Sequence, residues 1–173
     1  MKRKLKYLIP IFLLSIIGWL GWQVQAKIQE KEAIEANRAQ LPAFKFEELS
    51  GATFASTQLA PYKPVVVMFI HPECPHCQYE AEALYHQREH HQHIQWLLIS
   101  EAPKEQLQWL SNTYKLDSLP NVSVLMSEMG GFYSFFGTES LPSTFVYDSG
   151  GRLKKYFRGE VKLEAIFKLF PFP

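Results

Sequence analysis

Cysteine is nearly missing from this chain: its 173 residues contain only two. A secreted scaffold stapled by disulfides uses more of them, spread over longer loops, so that class is excluded. A four-cysteine zinc site is excluded as well. Net charge is nearly missing too, +1 at pH 7 from 18 basic and 17 acidic residues. No field of one sign points to a polyanion. No basic patch with interleaved aromatics is present, so nucleic acid is not an expected partner. Internal repeats and low-complexity tracts are absent. What is present is apolar material, 47% of the residues, enough for the core of one domain.

Charge is also absent locally. From Tyr7 to Ala26 the run YLIPIFLLSIIGWLGWQVQA carries no charged residue, directly behind Lys2, Arg3, Lys4 and Lys6. It has about the length of a bilayer-spanning helix. Trp19 and Trp22 stand toward its far end, where amphipathic rings favour the interface, and the basic stub favours the inner side. The sequence therefore predicts a cytoplasmic stub over residues 1–6 and a transmembrane helix or uncleaved signal anchor over 7–26. The rest would be periplasmic or otherwise extracytoplasmic, at a bacterial cytoplasmic membrane. A signal peptide cleaved after Val24-Gln25-Ala26 is the alternative, and it exports the domain equally. Residues 27–40 are charged and rich in helix formers, and predict a solvated helical stalk.

Residues 41–173 read as one α/β domain. Apolar–polar alternation on either side of Gly51 predicts a small N-terminal β-hairpin. Residues 65–70, VVVMFI, predict a strand buried on both faces. A helix is expected over 74–90, a strand over 93–100, a helix over 104–114 and a short strand over 122–126. Residues 132–136 read as a short helix or turn. Runs 143–148 and 153–159 flank Ser149-Gly150-Gly151 and predict an antiparallel hairpin. A helix over 161–170 closes the chain. Alternating β and α elements predict a mostly parallel sheet with antiparallel additions.

Cys74-Pro75-His76-Cys77 falls where the buried strand ends and a helix begins. The unpaired N–H groups of a helix's first turn carry partial positive charge, which favours a thiolate at Cys74. Cys77, one turn deeper, is expected to be buried. That asymmetry makes Cys74 the attacking sulfur, which forms a mixed disulfide, and Cys77 the one that resolves it. His76, as imidazole or imidazolium inside the loop, would add to the stabilisation of the thiolate.

These residues resemble the thioredoxin superfamily, and within it the membrane-anchored TlpA/ResA-like branch. The resemblance covers residues 41–170 through LPAF, KPVVVMFIHPECPHC, LPSTFVYDSGGRL and the glycine-then-helix from Gly159 onward. A bare CxxC is weak evidence. A CxxC at a strand–helix junction, followed 65 residues later by a proline directly before a β-run, is strong evidence. The resemblance implies a three-layer thioredoxin-like fold and thiol–disulfide oxidoreductase activity without a cofactor. It also implies a cis Leu141–Pro142 bond beside the dithiol, with Leu141 and Pro142 binding a substrate strand. Glu80 matches a glutamate that moves protons for the buried cysteine; a solvated surface glutamate is the other reading. Implied partners are exported thiol or disulfide proteins and a membrane electron donor, with the protein more a reductant than an oxidant.

Other readings rank lower. Cys-Pro-His-Cys also occurs in the oxidase DsbA, but the helical insertion expected of DsbA does not fit this short chain. The TlpA-like branch often has proline at His76, and tryptophan where this chain has Glu73. His71, Cys74, His76 and Cys77 could take copper or zinc, although copper-chaperone relatives space their cysteines further apart. Peroxidase chemistry needs Thr or Ser three residues before the reactive cysteine, where this chain has His71. His86, His90, His91 and His93 read as a solvated polar corner.

Overall fold

The computed structural model describes residues 2–170, with side-chain surroundings from Ser15 onward. Met1 of the expected stub and residues 171–173 of the expected domain lie outside the described residues.

The elements follow in the order α1 (Lys2–Arg38), β1 (Lys45–Glu48), β2 (Thr53–Ala55), β3 (Val65–Phe69), α2 (Pro75–His86), β4 (Gln95–Ser100), α3 (Lys104–Thr113), β5 (Val122–Met126), α4 (Gly131–Phe136), β6 (Ser143–Tyr147), β7 (Leu153–Arg158) and α5 (Leu163–Phe167). Seven strands form one sheet in the order β2-β1-β5-β4-β3-β6-β7. Strands β3, β4 and β5 are parallel. The late hairpin adds β6 antiparallel to β3 and β7 antiparallel to β6. The early hairpin adds β1 antiparallel to β5.

Every residue of β3 is buried, because alternate side chains feed two separate cores. Val66 and Met68 pack with Cys77, Ala81 and Leu84 of α2 and with Leu163 and Ile166 of α5. Val65, Val67 and Phe69 pack on the opposite face with Phe132 and Phe136 of α4. Helices thus cover both faces, and the three-layer α/β arrangement is observed. Full burial of one such side chain contributes about 1.5–3 kcal/mol, so a charge placed in β3 would disrupt both layers.

The transmembrane reading of residues 7–26 is corrected. Among the described residues, no helix is long and apolar enough to cross a membrane. Within α1, Gly18, Gly21, Gln23 and Gln25 lower the apolarity of the run before Lys27. The side chains of 7–14 lie outside the described residues. Membrane embedding through the N-terminal helix, the signal anchor, and the single-pass bacterial-membrane location with the periplasmic orientation read from it rested on that span and are corrected with it.

Residues 27–38 continue α1 and are mostly exposed. The last turn of α1 packs on the domain: the Arg38 guanidinium donates to the Phe136 carbonyl (2.9 Å). It also lies over the Tyr156 and Phe145 rings, 5.1 and 5.7 Å from their centroids. The Tyr147 hydroxyl donates to the Arg38 carbonyl (3.2 Å). Gly137 faces Ile34 of α1 so closely that an added Cβ would lie 2.6 Å from its Cγ2, and its φ of +67° is itself in the left-handed region. Both conditions call for glycine.

Two helices are shorter than expected. The expected 74–90 helix ends at His86, where the chain turns to bury His91. The expected 161–170 helix is confined to Leu163–Phe167, because Lys162 has extended backbone (φ −70°, ψ 131°).

Candidate active site

The dithiol loop leaves the C-terminal end of β3 and caps α2. Cys74 is the N-cap residue with extended backbone. Its amide donates to the His71 carbonyl (3.0 Å), and its carbonyl accepts the first helical bond, from the Gln78 amide (3.0 Å). Pro75 follows at the first helical position, where a missing N–H costs nothing. The Gln78 side chain donates to the Pro72 carbonyl (2.6 Å) and ties the loop to the helix.

Both cysteines are free thiols, so this is the dithiol form. Cys74 is half-buried, whereas Cys77 is fully enclosed. The Cys77 sulfur accepts from the His71 amide at 3.5 Å. Burial, above all, and then a hydrogen bond to Cys74 push the Cys77 thiol far up; the His71 amide opposes this, and the charges of Cys74 and Glu80 add to it.

Glu80 is not a surface residue. It lies on α2 three residues after Cys77 and is 1% exposed. Its Oε1 accepts from the Val161 amide (2.8 Å), while Oε2 has no hydrogen-bond partner among the described residues. Burial raises its carboxyl from the ordinary 4.5 to about 7; the Val161 amide pulls it down, Glu160 pushes it up and His76 lowers it. A carboxyl of that kind holds or releases a proton near neutral pH beside a thiol that needs to lose one.

His76 stands mostly exposed at the mouth of the site. Its Nδ1 meets a carboxylate oxygen of Glu160, 84 residues away in sequence. The Leu141–Pro142 peptide bond is cis. Ser143 pairs with Phe69, the last residue of β3, so Pro142 sits at the end of the sheet from which the dithiol loop departs. The Pro142 carbonyl accepts from the Gly159 amide (2.9 Å). Pro142 is buried and Leu141 exposed. An open cleft of about 410 Å³ runs beside Leu141, lined by Ile70, His71, Met129, Tyr133 and Glu139 among others.

The structure thus brings Cys74, Pro75, His76, Cys77 and Glu80 together on the start of α2, with Leu141 and Pro142 on the neighbouring strand's approach. Residues 159–161 were missed by the sequence reading. A glycine after a strand marked the turn, but no local signal shows that Glu160 and Val161 reach α2.

The metal reading loses its support. Among the described residues, no three His, Cys, Asp or Glu side chains converge as a metal site requires. His71 is occupied, its Nδ1 accepting from the Glu73 amide (3.2 Å). The polar-corner reading of the later histidines fails at His91, which is fully buried. Its Nε2 donates to the Leu84 carbonyl (2.9 Å), and the Asn121 amide group approaches its Nδ1 (3.1 Å).

Comparison with known proteins agrees with this architecture. Thioredoxin-like protein YneN of Bacillus subtilis is 26% identical over 151 residues, covering 84% of this chain and 85% of that protein. A secreted Mycobacterium tuberculosis disulfide oxidoreductase, described as homologous to E. coli DsbE, superposes with a TM-score of 0.63 at 23% identity, over 76% of this chain and 94% of that one. StoA of Bacillus subtilis superposes with a TM-score of 0.55 at 15% identity, over 75% of this chain and 97% of that one. At such identities the two structures establish the fold alone. A thioredoxin-like fold with a CxxC pair at the strand–helix junction makes the protein a thiol–disulfide oxidoreductase of the thioredoxin type. The match to the AhpC/TSA family spans residues 38–156, more than half of the chain, and the protein belongs to that family.

Proposed function

We propose that the protein reduces disulfide bonds in other proteins through Cys74 and Cys77. The Cys74 thiolate attacks one sulfur of the substrate disulfide, and the other substrate sulfur leaves and takes up a proton. A mixed disulfide joins Cys74 to the substrate. Cys77 then attacks the Cys74 sulfur, and the second substrate sulfur leaves and is protonated. In sum, two electrons and two protons pass to the substrate, and a Cys74–Cys77 disulfide forms. Leu141 and Pro142 present the backbone beside which the substrate strand lies, with the adjoining cleft receiving its side chains.

The observation that carries this reading is Glu80. A fully buried Cys77 with its thiol pushed far up attacks slowly unless a base takes its proton. Glu80, buried on the same helix and titrating at about 7, supplies that base. Reduction is the direction proposed; a strong oxidant would depend on a strongly stabilised reduced form. The names of relatives, a thioredoxin-like protein and a disulfide oxidoreductase homologous to DsbE, agree with the assignment.

Equilibration with glutathione buffers tests the direction. The expected potential lies above thioredoxin's, about −270 mV, and well below the roughly −120 mV of DsbA. A value at the DsbA end would make the protein an oxidant and overturn the assignment.

A further inference from the structure

Three consecutive residues beyond β7 reach three separate parts of the site. The Gly159 amide donates to the Pro142 carbonyl (2.9 Å). The Glu160 carboxylate meets Nδ1 of His76. The Val161 amide donates to Glu80 (2.8 Å). Gly159 has a φ of +88°, which turns the chain out of β7 and across the start of α2. Val161 is buried in the same core cluster as Cys77. The backbone on both sides of Glu160 is therefore fixed, and its side chain is presented to the dithiol loop.

His76 lies between the two cysteines in sequence. An unpaired imidazolium there would stabilise the Cys74 thiolate, and with it the reduced form, which drives a dithiol toward oxidant behaviour. In this structure the ring is met by a carboxylate instead. With His76 protonated the pair is neutral; with His76 neutral it carries one negative charge. In neither state does the loop present a net positive charge to Cys74.

We propose that Glu160 is a positioning residue of the reaction: it holds the His76 ring and cancels its charge beside Cys74, keeping the dithiol a reductant. This rests on the reading of Cys74 and Cys77 as the reactive pair. Both partners are partly exposed, 66% for His76 and 36% for Glu160, so solvent screens the effect and a several-fold change is the scale to expect.

The test is a glutathione redox titration of the full chain at pH 7, for wild type, Glu160→Gln, His76→Ala, the double variant and Glu164→Gln. Glu164 sits in the adjacent helix, accepting from Gln87 (2.8 Å), and serves as a control. Glu160→Gln is expected to shift the equilibrium about threefold toward the dithiol. His76→Ala leaves Glu160 uncompensated and is expected to shift it about threefold toward the disulfide. The double variant should return to within about twofold of wild type, and Glu164→Gln should match wild type. If the glutamine variant does not fold, Glu160→Ala takes its place with the same expectation. A Glu160→Gln equilibrium equal to that of wild type, or shifted in the same direction as His76→Ala, overturns the proposal. A wild type that does not equilibrate with glutathione at all overturns instead the dithiol reading beneath it.

Discussion

Replacing Glu80 by glutamine keeps the side chain's shape and its acceptor for the Val161 amide, but removes its charge. In the folded protein the carboxyl titrates at about 7 against an ordinary 4.5. Burial penalises the carboxylate, so the folded state holds a proton that the unfolded chain has already released. The sign follows from linkage: this contribution is fully present below pH 4.5, is lost as pH rises toward 7, and then levels off. At about 1.4 kcal/mol for each tenfold change in proton affinity, the whole span is worth about 3 kcal/mol. Glutamine cannot ionise, so its stability lacks that slope. Its buried amide N–H₂ costs about 1–3 kcal/mol if unpaired, but equally at every pH. Urea unfolding of the two reduced proteins at pH 5 and pH 8 separates the contributions. Between those values the balance should move in favour of Glu80→Gln by about 2.5 kcal/mol. Single-turnover release of the second substrate thiol should also slow and lose its inflection near pH 7. Parallel stability profiles in the two proteins would show that Glu80 is ionised in the folded state and would refute the base assignment.

Two further expectations concern parts of the chain distant from the dithiol. Arg38→Met removes the hydrogen bond to the Phe136 carbonyl and the cation over Tyr156 and Phe145. It should lower stability by about 1–2 kcal/mol in thermal or urea unfolding; an unchanged midpoint would mean that the end of α1 is not docked in solution. His91 is held neutral by burial, the largest cause, which lowers it from the ordinary 6.5. Its contribution is present above pH 6.5 and lost as pH falls toward the lowered folded value. His91→Phe, although less stable overall, should therefore show a flatter acid limb below pH 6.5, and an equally steep limb would count against this role.

The parts of the fold that were legible in the sequence are those fixed by local pattern. VVVMFI announced a strand buried on both faces because six consecutive apolar residues have no polar side to show. The CxxC was legible because a strand breaker and a helix start bracket it. Glu80 stood out only through the resemblance, with a surface position as the other reading, because the Val161 amide that meets it lies 81 positions away. The partner of His76 is equally distant, so the sequence alone turned the ring toward Cys74. His91 looked solvated because its neighbours are polar, whereas Leu84 and Asn121 supply its bonds from elsewhere. The N-terminal run misled for the opposite reason. Local apolarity suggested a membrane span, and the helix formers of residues 27–40 gave no sign that the end of that helix docks on Phe136.

The central claim is that Cys74 attacks and Cys77 resolves. Mixing the reduced protein with a peptide containing one disulfide, with quenching and mass spectrometry over time, tests it most directly. Wild type should yield two peptide thiols for each Cys74–Cys77 disulfide formed. Cys77→Ser should stall as a covalent adduct carried on Cys74. An adduct on Cys77 in the Cys74→Ser protein at a comparable rate, or no adduct with Cys77→Ser, would contradict the account.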